Sequence, residues 1–307
     1  MQYKQQRPSC VSRPKGPIPS DTTLTQSDPE LGGRMRIKLA LAVSLAVLTL
    51  AQLASASTLY GIEYSSGTGF YNVNQTTGAI SLIGNTGNPA TGDLTSNLTN
   101  TIWAPDMAND ALLTINPATG AVSSSVAIMA ATGAPVPIVS LAWDPVTSVL
   151  YGNTSVGFGN TTNDALYSID PTTGNATFLG VIGYNTVYAL GFNGGGTLYG
   201  ISQTSNELIT IDTGSGAGTG VAGVGLSAVY DLAFRPGDDT MFVADSGTSS
   251  LYTMDPTTGA ATLVGSYGSP TNVVGLAFLG VPEPSSLMLL GTGLIGLTGA
   301  LRRKLRR

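Results

Sequence analysis

Three carboxylates stand out between residues 57 and 281: Asp231, Glu63 and Glu207. Asp231 falls where related segments of the same chain place Ser140, Ala189 and Gly275, and the two glutamates are the only ones in that stretch. Paired carboxylates can hydrolyse glycosides, one acting as acid and the other as base or nucleophile. Little other catalysis survives the composition. His is absent, the one Cys is Cys10, and no Lys lies in this stretch. Ser-His-Asp triads, thiol nucleophiles and Schiff-base lysines are therefore excluded. Histidine-based zinc, iron and copper sites are excluded as well.

The remaining acids read as structural. Asp170, Asp212 and Asp255 recur at one position of a repeat, and Asn74 and Asn116 occupy the same place. Exchange of Asp for Asn suits a turn that needs a side-chain acceptor, and it would abolish a general acid. The run "RPGDDT" (235–240) offers hard oxygen ligands of the calcium kind but lacks D-x-D-x-D-G spacing, and it also spells an ordinary hairpin turn. "GFNGGGTLYG" has the glycines of a phosphate cradle, but no helix follows whose N-terminus could bind the anion. No catalytic residue, metal ligand or cofactor is expected.

These residues belong to a repeat. "VYALGF" (187–192), "VYDLAF" (229–234) and "VVGLAF" (273–278) align without gaps, joined by "IVSLAW" (138–143). "LYG" (150–152), "LYG" (198–200) and "MFV" (241–243) follow the members that lie earlier in the chain. Then come "LYSID" (166–170), "LITID" (208–212) and "LYTMD" (251–255), a turn such as "PTTG", and a fourth run such as "AATLVG" (260–265). Each run is short, rich in β-branched and aromatic residues, and bounded by Gly, Pro, Asp or Asn, which predicts strands. Turn glycines Gly78, Gly120, Gly174, Gly214 and Gly259 stand 42, 54, 40 and 45 residues apart. Four antiparallel strands recurring at that interval predict an all-β fold, a β-propeller of five four-stranded blades.

The ends of the repeat are complementary. The first unit starts at "LYGIEY" (59–64) without a first strand, and the last is a solitary first strand at 273–278. Together they predict one complete blade and a ring closed by its own termini. The blades are placed at 59–87 with 273–278, then 90–128, 138–183, 187–224 and 229–268. The second lacks the consensus around Asp93-Leu94. Tyr60, Trp103, Tyr151, Tyr199 and Phe242 share one repeat position and are expected to pack between blades. The long interval comes from an insertion, "NTSVGFGNTTND" (153–164). Loops on rigid scaffolds carry function disproportionately, so Phe158 in this insertion and Asp231 on the innermost strand form the candidate ligand surface. The body resembles secreted bacterial propeller repeats of unknown function, a resemblance that implies strands and turns but no activity.

Charge is segregated along the chain. Residues 57–281 hold 14 acidic residues against Arg235 alone, a net of −13, which disfavours nucleic acid as a partner. The basic residues gather at the ends. Residues 1–34 are a polar leader. From Met35, Arg36 and Lys38 precede an apolar stretch and the small-residue site Ala54-Ser55-Ala56, the pattern of a signal peptide (35–56) cleaved after Ala56. Residues 281–307 open with Val281-Pro282-Glu283-Pro284, which proline stiffens. They continue through an uncharged apolar run at 285–301, expected as a transmembrane helix. They end in Arg302, Arg303, Lys304, Arg306 and Arg307, charges that stay on the cytoplasmic side and stop translocation.

This tail resembles the PEP-CTERM sorting signal of Gram-negative bacteria, with all three of its parts in order. The resemblance implies recognition of Pro282, Glu283 and Pro284 by exosortase, a processing enzyme of the inner membrane. It also implies transient anchoring there, release at the outer surface, and association with extracellular polysaccharide. The function expected is thus a non-enzymatic binding or structural module of the cell surface or extracellular matrix. The alternative is a carboxylate-dependent glycoside hydrolase.

Overall fold

The computed structural model describes residues 57–64, 68–155, 163–268 and 272–280, and their regular structure is entirely β. The first strands are β1 (Ser57–Glu63), β2 (Gly69–Val73) and β3 (Ile80–Asn85), followed by β4 (Thr95–Ser96), β5 (Ile102–Asp106), β6 (Ala111–Ile115) and β7 (Val122–Ala127). A short β8 (Met129–Ala130) precedes β9 (Ile138–Asp144), β10 (Val149–Thr154), β11 (Ala165–Ile169) and β12 (Asn175–Val181). The fourth group is β13 (Val187–Phe192), β14 (Leu198–Ser202), β15 (Glu207–Ile211) and β16 (Gly218–Gly223). The fifth is β17 (Val229–Phe234), β18 (Met241–Asp245), β19 (Ser250–Met254) and β20 (Ala261–Ser266), and β21 (Val273–Gly280) ends the described chain.

These strands form five separate sheets, the blades of a propeller. Blade 1 has the order β21-β1-β2-β3, so the last strand supplies the innermost position beside the first three. Ser57 pairs with Gly280, and the ladder continues to Glu63 opposite Val273. The predicted ring closure is therefore present. Blade 2 differs from expectation: its innermost strand is only Thr95–Ser96, and Asp93-Leu94 precede it. Blade 3 gains a fifth strand, because β8, in the connection from blade 2, pairs in parallel with β12.

Apolar side chains of neighbouring blades meet in five clusters, one at each seam, including the seam between blades 5 and 1. The aromatic stripe lies in these seams. Trp103 packs on Trp143, Tyr151 on Phe192, Tyr199 on Phe234 and Phe242 on Phe278, with centroids 5.2–5.6 Å apart. In each pair a second-strand ring meets the ring that closes the next blade's first strand. Only Tyr60 departs from this, stacking on Phe70 of its own blade because the next blade offers Ser96. Such rings bury large apolar areas, which makes the stripe core rather than sugar platform.

A second seam runs further out. The turn before each fourth strand packs its left-handed glycine against the previous blade's outer strand: Gly78 on Gly265, Gly120 on Gly84, Gly174 on Ala127, Gly216 on Gly180 and Gly259 on Gly223. Gly216, not Gly214, is thus the fourth repeat glycine, four residues after Asp212 as Gly259 is after Asp255. Counted this way, the intervals outside the insertion become nearly even.

The ladders also define two ends of the axis. Glu63, Gly69 and Val273 share one end of blade 1, while Ser57, Gly280 and Val73 share the other. Innermost strands of adjacent blades run in parallel, as residues one step apart in the repeat meet across them: Trp143 N–H donates to Thr95 Oγ1 at 3.1 Å, and Leu98 bridges Leu279 in parallel. All five innermost strands therefore start at one end, the mouth. Both chain ends of the propeller emerge at the other.

Candidate functional site

Repeat position 93/140/189/231/275 brings one residue from each blade towards the axis: Asp93, Ser140, Ala189, Asp231 and Gly275. All five are buried. Asp93 accepts hydrogen bonds from Leu94 N–H at 2.7 Å and from Leu141 N–H of blade 3. Asp231 accepts from Leu232 N–H at 2.6 Å and from Leu276 N–H of blade 1. Each acid thus laces its own innermost strand to that of the following blade. The two carboxyls also share a hydrogen bond with each other.

Gly275 makes this approach possible. A Cβ there would stand 2.6 Å from Ile62 Cγ2 and 2.7 Å from the Asp93 carbonyl carbon. Burial drives the acidity of the pair. Desolvation pushes Asp93 up to about 6, tempered by Asp231, Ser140 and the two N–H donors. Asp231 rises well above the ordinary carboxylate range, through desolvation and then repulsion from Asp93. The two acids titrate as a unit, and burial favours a proton on the pair. The Ser140 hydroxyl lies beside Asp93 but is buried and meets no partner at full hydrogen-bond geometry.

Asp231 does lie at the axis, as its place on the innermost strand suggests, but it is fully buried and presents no exposed ligand surface. Its partner Asp93 escaped the sequence reading because blade 2 lacks the consensus. The dipeptide Asp93-Leu94, matching Asp231-Leu232, was the signal that could have found it. Glu63 and Glu207 do not join them. Glu63 accepts from the Tyr71 hydroxyl at 3.0 Å, and Glu207 folds over Gly220, where a Cβ would stand 2.2 Å from its Oε1.

The repeated turn acids do what their exchange with Asn suggests. Asp170, Asp212 and Asp255 accept from the N–H of Thr172, Ser215 and Thr257 at 2.7–2.8 Å, and Asn74 accepts from Thr76 N–H at 2.9 Å. Those donors, with the Ser215 hydroxyl foremost at Asp212, hold the three aspartates below the ordinary carboxylate range. The turn 235–240 divides its acids between separate partners. Asp238 pairs with Arg235, which lowers it to about 2, while Asp239 accepts from Gly194 N–H at 2.8 Å. Among the described residues, no three of His, Cys, Asp or Glu group into a metal cluster.

At the mouth, register shifts in the ladders fall at Tyr188 and Tyr230, at the starts of β13 and β17. Their rings stack with centroids 5.6 Å apart and planes 9° from parallel. Desolvation raises Tyr188, opposed by a hydrogen bond with Ser155; Tyr230, Asp164 and the 48% exposed Tyr64 add to the rise. The insertion leaves the fold at this end, between Ser155 and Asp164. Phe158 lies outside the described residues. So do residues 1–34, the signal peptide with Ala54 and Ala56, the apolar run 285–301 and the tail. Among the described residues, no helix is long and apolar enough to cross a membrane.

The described chain ends at Gly280, where the model of the PEP-CTERM protein-sorting motif begins to match, over residues 280–304. The chain carries a PEP-CTERM sorting motif. Pro282, Glu283 and Pro284 lie inside the match with Arg302, Arg303 and Lys304, and Arg306 and Arg307 follow it. The motif marks the chain for exosortase processing, export and transient anchoring through its C-terminus. No curated protein matches the chain. Among solved structures, a nidogen/laminin complex overlaps with a TM-score of 0.47 at 10% identity, over 73% of this chain and 98% of that one. A structural genomics protein of unknown function from Bacteroides thetaiotaomicron VPI-5482 overlaps at 0.42 and 14% identity, over 68% and 50%. Likenesses at these scores carry no argument about function.

Proposed function

We propose that the propeller is a non-enzymatic binding or structural module, carried by an N-terminal signal peptide and a C-terminal membrane helix to the cell surface or extracellular matrix of a Gram-negative bacterium. Extracellular polysaccharide is its ligand. One observation carries the non-enzymatic reading: the two carboxyls brought together at the axis, Asp93 and Asp231, are fully buried and spend their oxygens on backbone donors. A glycosidase needs its acids open to the sugar, separated by about 5 Å or more. The mouth supports the ligand class. Tyrosines at the rim offer apolar faces with polar tips, and no basic residue among the described ones lies there to select an anion.

The test is a screen of the secreted protein against the producing organism's own polysaccharides, reading both retention and release of reducing ends. Retention without turnover, weakened in Y188A and Y230A variants, is the expected result. Turnover lost in D231N, E63Q or E207Q would instead establish the hydrolase.

A further inference from the structure

The place where the tail joins the propeller limits how an anchored chain can be held. Ser57 and Gly280 pair at the end of the axis opposite the mouth, and Gly280 N–H donates to the Leu98 carbonyl there at 2.9 Å. Gly280 ends β21, the innermost strand of blade 1, so the tail departs close to the axis. The segment that precedes Ser57 joins at the same face.

The tether is short. Ser285, where the apolar run begins, is five residues beyond Gly280. Five residues reach at most about 18 Å when fully extended. Crossing the headgroup layer on one side of a bilayer takes about 5–7 Å of that. Roughly 11–13 Å then remain above the lipid. Laid on its side, the propeller would need more. The outer edge of blade 1, β3, lies three strand spacings from β21, about 14 Å before its side chains are counted. Every other direction is longer, because it first crosses the axis. The face has no charge of its own to draw it down. Asp170, Asp212, Asp238, Asp239 and Asp255 are exposed in its turns, and Arg235 is the one basic residue among the described ones. Such a surface gains no attraction from phosphate headgroups, so the tether alone holds it there.

We propose that the anchored propeller stands on the bilayer by this face, with the mouth directed away from the lipid. The surface that meets the phospholipid is the ring of turns at 97–101, 144–148, 193–197 and 235–240. The rim tyrosines are then open to solution before the tail is cut. This orientation rests on the reading of residues 285–301 as a membrane anchor.

The exported chain with its tail uncut, and with Cys10 replaced by serine, is reconstituted into phosphatidylcholine vesicles that contain a lipid with a nitroxide headgroup. A fluorophore is attached at Val146→Cys on the membrane-facing end, or at Ala108→Cys or Ser205→Cys at the mouth, all exposed turn positions. An innermost strand of six residues separates the two ends by about 20 Å. Quenching of the Val146→Cys probe severalfold above both mouth probes is expected. A flexible Gly/Ser insertion of about 20 residues after Gly280, reaching about 25 Å, should bring all three probes to equal quenching. Equal quenching without the insertion, or a difference that survives it, overturns the orientation, while flotation of the chain with the vesicles upholds the anchor. A chain that does not float overturns the anchor and the orientation together.

Discussion

Gly180 in β12 tests the outer seam with a single methyl group. Its φ is not in the left-handed region, so alanine meets no backbone objection there. The obstacle is the neighbouring blade. A Cβ on Gly180 would stand 1.7 Å from the Ser215 carbonyl oxygen and 2.7 Å from its carbon, and both atoms are backbone. To restore an ordinary contact, the turn at 212–217 and strand β12 must part by more than about 1 Å. Forced overpacking of this kind costs about 1–3 kcal/mol. The loss of unfolded-state freedom on replacing glycine returns only about 0.4–1 kcal/mol. Because both clashing atoms are backbone, the upper end of that cost applies, and we expect Gly180→Ala to lower stability by about 2 kcal/mol net. For a domain of this size, that is a fall in melting temperature of roughly 4–8 °C. Gly225→Ala is the matched control, because Gly225 is exposed, has an ordinary φ and has nothing within 4 Å of an added Cβ. It should be neutral or slightly stabilising. Urea denaturation should show a lower midpoint for Gly180→Ala with an unchanged slope. If Gly180→Ala proves as stable as Gly225→Ala, the packing of turns onto outer strands is not what holds the blades in register.

Ring closure predicts that the last seam behaves like an interior one. Phe278→Ala, between blades 5 and 1, should cost about 3–5 kcal/mol, close to the cost of Phe234→Ala between blades 4 and 5. A Phe278→Ala variant that unfolds like wild type in urea would mean that β21 is not docked. The Arg235–Asp238 pair is solvent-exposed and should contribute less than about 1 kcal/mol. Asp238 is depressed in the folded chain to about 2, so that contribution is present above the unfolded value near 4 and is lost as the pH falls towards 2. Wild type and Asp238→Asn should therefore differ slightly in urea near neutral pH and converge in strong acid.

The chain's own repetition made the fold legible. Each blade writes the same four strands in nearly the same letters, and local rules suffice for strands and turns. Asp170, Asp212 and Asp255 could be assigned to turns because Asn replaces them elsewhere. The closing of blade 1 by β21 followed from counting strands, since an incomplete first unit and a solitary last strand leave one consistent pairing. The address at 280–304 was equally readable, because its parts are adjacent in sequence. Blade 2 was less so: β4 is two residues long, and short strands held by their neighbours leave little pattern.

What only the tertiary structure decided is what meets across the ring. Asp93 and Asp231 belong to different blades and come together only because parallel innermost strands place equivalent residues at one height. Sequence proximity carries no trace of that, and burial, which raises their protonation, is a property of the closed ring. The same holds for Tyr188 and Tyr230, stacked on each other where register shifts that no local rule announces bend their strands. The residues and their turns are local facts. Their charge state and company depend on five sheets converging on one axis.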